Sequence, residues 1–331
     1  MNRVNMIPNP DKDRYLSGHD DGFHFMGCKG QINIDSCRFE GLMDDPINIH
    51  GTYAPVIARI DDKTLKCKFE HGMSSGLIWG QPDDKVSFIK SSSMKRVGND
   101  VLKKFERIDK DRFVLHFEHE LPQKVQKGDA LENITRVPDA RIKNCFVGSC
   151  RARGFLLSTP GDVIVENNIF QTSGSAILIA GDANYWYESG AVENVQIRNN
   201  EFRAPCNSSP YQFCKAVITI LPIVPQPDTS KPFHKNIAIY NNTFHLSDYP
   251  LLYAFSVENL RFENNIIRRS HLFEPWRENK YTFTLDACKN VSINANEIAE
   301  TVLGKNAKIK RMPKEFYRIQ EDIKINHKKL E

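Results

Sequence analysis

The chain has 331 residues, with 45 Lys and Arg against 41 Asp and Glu, and is 40% hydrophobic and 10% aromatic. That length can bury a real core, the recurring apolar runs exclude a disordered chain, and no run of about 18 apolar residues exists to make a spanning helix. The net charge of +4 belongs to one end, because residues 305–331 hold nine Lys/Arg against four Asp/Glu and the body before them is near neutral. A near-neutral body excludes a dedicated nucleic-acid binder.

Residues 1–14 are polar and contain proline, without the charged-then-apolar pattern of an export signal. A short repeat then runs through the chain. It starts with Ile32-Asn-Ile34-Asp-Ser36-Cys37-Arg-Phe39 and returns, after a long interruption, as Ala140-Arg-Ile142-Lys-Asn144-Cys145. Fuller copies are Val163-Ile-Val165-Glu-Asn167-Asn168-Ile-Phe170, Val195-Gln-Ile197-Arg-Asn199-Asn200-Glu-Phe202, Ile237-Ala-Ile239-Tyr-Asn241-Asn242-Thr-Phe244 and Leu260-Arg-Phe262-Glu-Asn264-Asn265-Ile-Ile267. A looser copy is Val291-Ser-Ile293-Asn-Ala295-Asn296-Glu-Ile298. Ile142 to Val165 and Ile239 to Phe262 are both steps of 23 residues; the longer steps are one such unit carrying an inserted loop.

Alternating apolar residues make a short strand with one face inward. An Asn tolerates the left-handed backbone that turns a corner, and its amide can bond to the Asn of the next coil. Coils of about 23 residues stacked in this way predict an all-β fold, a right-handed parallel β-helix. Its first coils occupy residues 1–50 and the rest 138–304. Residues 51–137 break the rhythm with alternating strands such as Thr64–Phe69 and Phe113–Phe117 and with turn signals. They predict a small antiparallel barrel or sandwich inserted between two coils. Residues 305–331 are expected to be a basic tail, as a solvated helix or frayed end.

None of the eight cysteines falls in a CxxC pair, which argues against a zinc ribbon or a thioredoxin-type site. Cys206 and Cys214 could close a loop in an oxidising compartment, but free buried thiols are the expected state.

The carboxylates gather at one spacing. Asp20-Asp21-Gly-Phe-His24 and Asp44-Asp45-Pro-Ile-Asn48-Ile-His50 lie 24 residues apart, about one coil. Positions one coil apart stack at about 4.8 Å. Carboxylates so stacked cannot all ionise cheaply, and general acids and bases are made from such groups. A calcium site or a pair of solvated turns is the other reading of these oxygens. His24 and His50 are candidate substrate contacts or satisfied structural histidines. A second cluster, Asp182-Ala-Asn-Tyr185-Trp186-Tyr187-Glu188, places aromatic rings beside a carboxylate on a loop, which suits a sugar ring. The alternative there is Trp186 packed on the solenoid and Glu188 paired with Arg151 or Arg153. Trp79 and Glu70-His71, in the inserted segment, are expected to lean over the site.

Taken together, Asp21-Gly-Phe-His-Phe25, Cys37-Arg-Phe39, Asp44-Asp45-Pro-Ile-Asn-Ile-His-Gly51, Arg153-Gly154, Ser175-Ala-Ile-Leu-Ile179 and Trp186-Tyr-Glu-Ser-Gly190 resemble the exo-α-1,3-galactosidases of glycoside hydrolase family 110. The resemblance implies removal of terminal α-1,3-linked galactose from blood-group-B-like or Galα1-3Gal glycans, with inversion and without a metal or cofactor. It implies Asp44 and Asp45 on the base side, with Asp21 supporting. Glu188 is then the first choice of acid, with Asp21 and Glu70 as others. Asp20, Asn48, His24, His50, Arg153, Trp186 and Tyr187 are expected around the galactose, with Glu70 and Trp79. Family members are longer, so a missing N-terminal segment or a partner copy is expected over the first coil. A periplasmic or extracellular location is likewise expected from the resemblance alone. Two rivals stay open: a polygalacturonase- or lyase-like enzyme acting on acidic polysaccharide, and a carbohydrate-binding solenoid without activity.

Overall fold

The computed structural model describes residues 1–327. The fold is all-β: three parallel sheets wrap one core as a β-helix, and a closed six-stranded antiparallel barrel interrupts it. Among the described residues no helix is long and apolar enough to cross a membrane.

The repeat found in the sequence is the register of one sheet. Ile142, Val165, Ile197, Ile239, Phe262 and Ile293 lie directly over one another in successive coils. All six are fully buried. The corner after each of these strands divides its work between two neighbouring residues, where the sequence pattern had suggested a single Asn doing both. The first residue takes the left-handed conformation, with φ of 57° at Asn144, 56° at Asn167 and 55° at Asn199, Asn241 and Asn264. The second is buried and forms a ladder. Asn168 donates to Asn200, Asn200 to Asn242, Asn242 to Asn265, Asn265 to Asn296 and Asn296 to Gln320, each at 3.0 Å. Each amide also donates to a backbone carbonyl, as Asn200 does to Val165 at 2.9 Å. The corner thus satisfies backbone groups that a bend inside a core would otherwise orphan. Beside the ladder, the rings of Phe170, Phe202 and Phe244 stack at 5.0 and 4.5 Å, nearly parallel.

The barrel strands run Ala54–Asp61, Thr64–Lys68, Lys85–Lys90, Lys95–Arg107, Arg112–Phe117 and Ala130–Asn133. They enclose their own core of Leu65, Phe88, Leu102, Phe113, Leu115 and Leu131. Trp79 belongs to this core. It is 2% exposed, and its indole N–H donates to the Thr52 carbonyl at 2.7 Å.

The segment after Lys305 is not the expected helix or frayed end. Asn306–Lys310 and Lys324–His327 extend one sheet, and Tyr317–Ile319 extends another. In Asn306-Ala-Lys-Ile-Lys310 the apolar residues enter the core while the lysines face out, so the basic surplus is the wet face of a last coil. Residues 328–331 of the expected tail lie outside the described residues.

The split corner predicts unequal mutants. Asn242→Ala removes the bonds to Ile197, Tyr240 and Asn265 and orphans those received from Asn200, so chemical denaturation should register a loss of roughly 2–4 kcal/mol. Asn241→Gly, at the left-handed position next to it, should stay within about 1 kcal/mol of the parent.

Candidate active site

The site lies on the outer face of the sheet that contains Phe23–Met26, Ile47–Thr52, Phe155–Ser158 and Ile177–Ile179. Phe23 pairs with Ile47 and Ile47 with Phe155. Counting back two residues along each chain stacks Asp21, Asp45 and Arg153 in three successive coils. Two like charges and one opposite charge therefore stand in a column about 4.8 Å per step.

The column is hydrogen-bonded along its length. Asp45 N–H donates to Asp21 Oδ1 at 3.1 Å, while Arg153 N–H and Nε donate to Asp45 Oδ1 at 3.2 and 2.7 Å and an Arg153 terminal nitrogen donates to Oδ2 at 2.6 Å. The same guanidinium reaches Asp44 Oδ1 at 3.4 Å, and Tyr211 OH donates to that oxygen at 3.4 Å. Close approach makes this possible: a Cβ on Gly154 would stand 2.3 Å from the Ala176 carbonyl, so only glycine lets the chain after Arg153 lie so near the next coil. Oxygens of Asp21, Asp44 and Asp45 all lie within 4.8 Å of one another. The Arg153 guanidinium flanks this cluster, its fork on both oxygens of Asp45.

Residues 182–190 form the other wall. The Asp182 carboxylate accepts from the backbone N–H groups of Asn184, Tyr185 and Trp186. This turn folds the loop back until Glu188 pairs antiparallel with Thr52, and Asn184 ties it to the barrel through the Ser91 carbonyl at 3.1 Å. Trp186 packs against His71, whose ring caps the short 3-10 turn that carries Met73. The barrel thus contributes to the site through His71 and Met73, and not through Trp79 or Glu70.

The pocket between these walls has a volume of about 480 Å³ and is lined by Asp20, Asp21, His24, Asp44, Asp45, Asn48, Arg153, Trp186 and Glu188. His50 stands behind His24, their Nε2 atoms 2.7 Å apart, and 3.8 Å from Glu188. Of the expected residues, three are elsewhere. Trp79 is barrel core, Glu70 is paired with Lys68 at 2.9 Å on the surface, and Tyr187 packs with the Tyr53 cluster. Asp20 is in the rim but points to solvent, so the cluster holds three aspartates and not four.

The sequence reading missed the apolar floor, Leu156 and Leu178, and the loop residues Tyr211, Gln212 and Phe213. A signal existed for the floor. Phe155–Ser158 and Ile177–Ile179 are buried at every position, where a strand with one wet face would alternate.

Burial separates the protonation states. Asp21 is pushed up to about 7 by burial and then by the charges of Asp45 and Asp44. Glu188 is likewise raised to about 7 by burial and then by Asp45. Asp44 is raised by burial and by Asp45, against the pull of Arg153. His24 is lowered to about 4 by burial and by His50, and His50 to about 4 by burial. Two buried carboxyls keep their protons near neutrality while the histidines lose theirs, an inversion of the ordinary order that marks acid–base sites.

The fold and pocket define a parallel β-helix with an inserted barrel and a carboxyl-rich cavity of sugar size. Residues 64–131, within the barrel, match the family model described as GLAA-B beta-barrel domain II. The chain is 52% identical to Alpha-1,3-galactosidase B of Bacteroides thetaiotaomicron over 98% of its own length and 52% of that protein. It is 41% identical to Alpha-1,3-galactosidase A of Bacteroides fragilis over 88% of this chain and 48% of that one. With Alpha-1,3-galactosidase B of Phocaeicola vulgatus the identity is 40%, over 85% of this chain and 50% of the other. By sequence, the chain is a homologue of the α-1,3-galactosidases. It spans about half the length of the curated relatives it matches.

Glu188 carries a stability cost with a definite sign. Its folded pKa, about 7, lies above the ordinary 4.5, so the fold binds the proton more tightly than the unfolded chain does. The favourable contribution is complete below about pH 4 and lost as pH rises to about 7, where the ionised group costs up to roughly 3 kcal/mol. Glu188→Gln should therefore melt higher than the parent at about pH 8, and the gap should close near pH 4. A constant gap would contradict a buried, titrating Glu188.

Proposed function

We propose that this protein hydrolyses terminal α-1,3-linked galactose from glycans, with inversion at the anomeric carbon. The observation that carries the reading is the carboxyl set of one pocket. Burial raises Asp21 and Glu188 to about 7 while the Arg153 fork engages both oxygens of Asp45, over an apolar floor and beside Trp186. Inverting hydrolysis needs one carboxylic acid for the leaving oxygen and one carboxylate for water. An aromatic ring and an apolar floor suit the C–H face of galactose. Its relatives' names supply the sugar and the linkage.

Asp44 is the most open of the three clustered aspartates, with its side chain 36% exposed against 14% for Asp21 and 1% for Asp45. It is the one that the reacting atoms meet first. Asp45 is fixed in the Arg153 fork and acts on its neighbours' charge. Glu188 as acid, with Asp44 and Asp45 on the base side and Asp21 supporting, fits these protonation states. The acidic-polysaccharide reading is disfavoured by the same fork, since Arg153 is already engaged by Asp45 and not free for a uronate.

NMR-monitored hydrolysis of a Galα1-3Gal disaccharide tests the reaction: β-galactose should form first. Initial α-galactose would overturn inversion, and no release from a folded sample would overturn the hydrolase reading in favour of a binding solenoid. Asp44→Asn should lower kcat by a factor of about 10² or more with KM little changed. Glu188→Gln should lose activity on the disaccharide but retain it on a dinitrophenyl galactoside, whose leaving group needs no proton. Equal loss on both substrates moves the acid role to the aspartates.

A further inference from the structure

The contacts of His24 and His50 leave their protons little choice. His50 Nδ1 is 2.6 Å from the Gly51 carbonyl, which can only accept, so that nitrogen carries hydrogen. In the neutral ring Nε2 is then an acceptor. His24 Nε2 lies 2.7 Å from it and must be the donor. A neutral His24 with its hydrogen on Nε2 has a bare Nδ1, and that atom faces Asp21 Oδ2 at 3.2 Å. Two lone pairs would oppose each other there unless a proton lies between them.

We propose that Asp21, His24 and His50 form a hydrogen-bonded series in which one proton is held between Asp21 Oδ2 and His24 Nδ1, seated on Asp21. His24 is then a positioning residue: it fixes which Asp21 oxygen bears the proton, and His50 fixes the His24 tautomer. The other hydrogen-bond partners of Asp21 are donors that pull toward the carboxylate, and they are outweighed by burial and by the charges of Asp45 and Asp44. Both the Asp45 N–H and the Asn48 amide donate to it, at 3.1 and 3.3 Å, which a carboxylic acid still accepts through its lone pairs. The charged groups facing the series are Asp45 and Asp44 from the adjacent coil, Arg153 beyond them, Glu188 across the pocket and His71 from the barrel. Asp45 and Asp44, uncompensated on the Asp21 side of the column, favour one more proton at that end. Buried imidazoles in a low-dielectric site favour the neutral form. Both place the proton on the carboxyl.

The inference deepens the hydrolase reading but is tested without substrate, so the two can fail separately. Nitrogen-15 NMR of the side-chain imidazoles in the full chain, at about pH 6 where an ordinary histidine is largely charged, should show two neutral rings, His24 protonated only at Nε2 and His50 only at Nδ1. A charged His24, or hydrogen on its Nδ1 in a neutral ring, overturns the proposal whatever the activity. Asp21→Asn keeps a donor toward Nδ1 and Asp21→Ala removes it; both should preserve the His24 tautomer, because His50 fixes it, and a mixture in Asp21→Ala would overturn that assignment. His24→Leu removes the acceptor of the Asp21 proton and should lower the pKa of the Asp21 carboxyl, followed by carbon-13 NMR of the full chain, by about one unit. An unmoved Asp21 titration overturns the positioning role.

Discussion

Everything in this molecule depends on one translation: a residue in one coil must tolerate its equivalent a strand spacing away. Identical groups stacked at that distance survive only if each can serve its neighbour. Asparagine does so because its amide is both donor and acceptor, and the ladder from Asn168 to Gln320 repeats one bond at 3.0 Å. Phenylalanine does so by offset contact of flat faces. A carboxylate cannot. The stack of Asp21, Asp45 and Arg153 breaks that rule with two carboxylates largely withdrawn from water, and Asp21 is raised to about 7 there.

The break is tolerated because the column is short and ends in a fork. Arg153 pairs with Asp45 from one side, and Asp21, on the other side and still facing the charge of Asp45, has a histidine for its proton. Removing water from this face is the work of the barrel and of residues 182–190. The barrel is held by its own core, so it can present His71 and Met73 as a rigid edge. The loop is pinned by Asp182 and closes with the Glu188–Thr52 pairing. Without those covers, Leu156 and Leu178 would be exposed apolar surface on a solenoid flank, and the carboxyl protons would be those of ordinary surface groups.

Much of this was legible in the residues. The coil repeat shows because alternation and a left-handed corner are both local demands that a sequence must meet at fixed spacing. The aspartate pairs show because their separation of 24 residues is nearly one coil. Trp79 and Glu70 were misplaced because period-2 alternation tells which residues alternate in the barrel, and not how the barrel is turned against the helix. The tail was misread because its lysines dominate the composition, while its core residues, Ala307, Ile309 and Tyr317, are sparse. Tyr211 and Phe213 were missed for a different reason. They sit in a loop that lengthens one coil, and a loop's path over a pocket is set by tertiary contacts that no spacing encodes.

The proton count of the pocket bears on the proposed chemistry as a whole. Asp21, Asp44, Asp45 and Glu188 against Arg153 would sum to three negative charges if all were ionised. The two held protons reduce that to one, the state that burial and the column select. An inverting turnover conserves this total: the acid gives up one proton as the base takes one from water. The cluster's charge is therefore the same before and after reaction, and only the positions of the protons differ. Resetting the site means moving a proton among groups that line one pocket, with no new charge buried. A pocket built from several interacting carboxyls, in place of one isolated pair, gives that return path at little electrostatic cost.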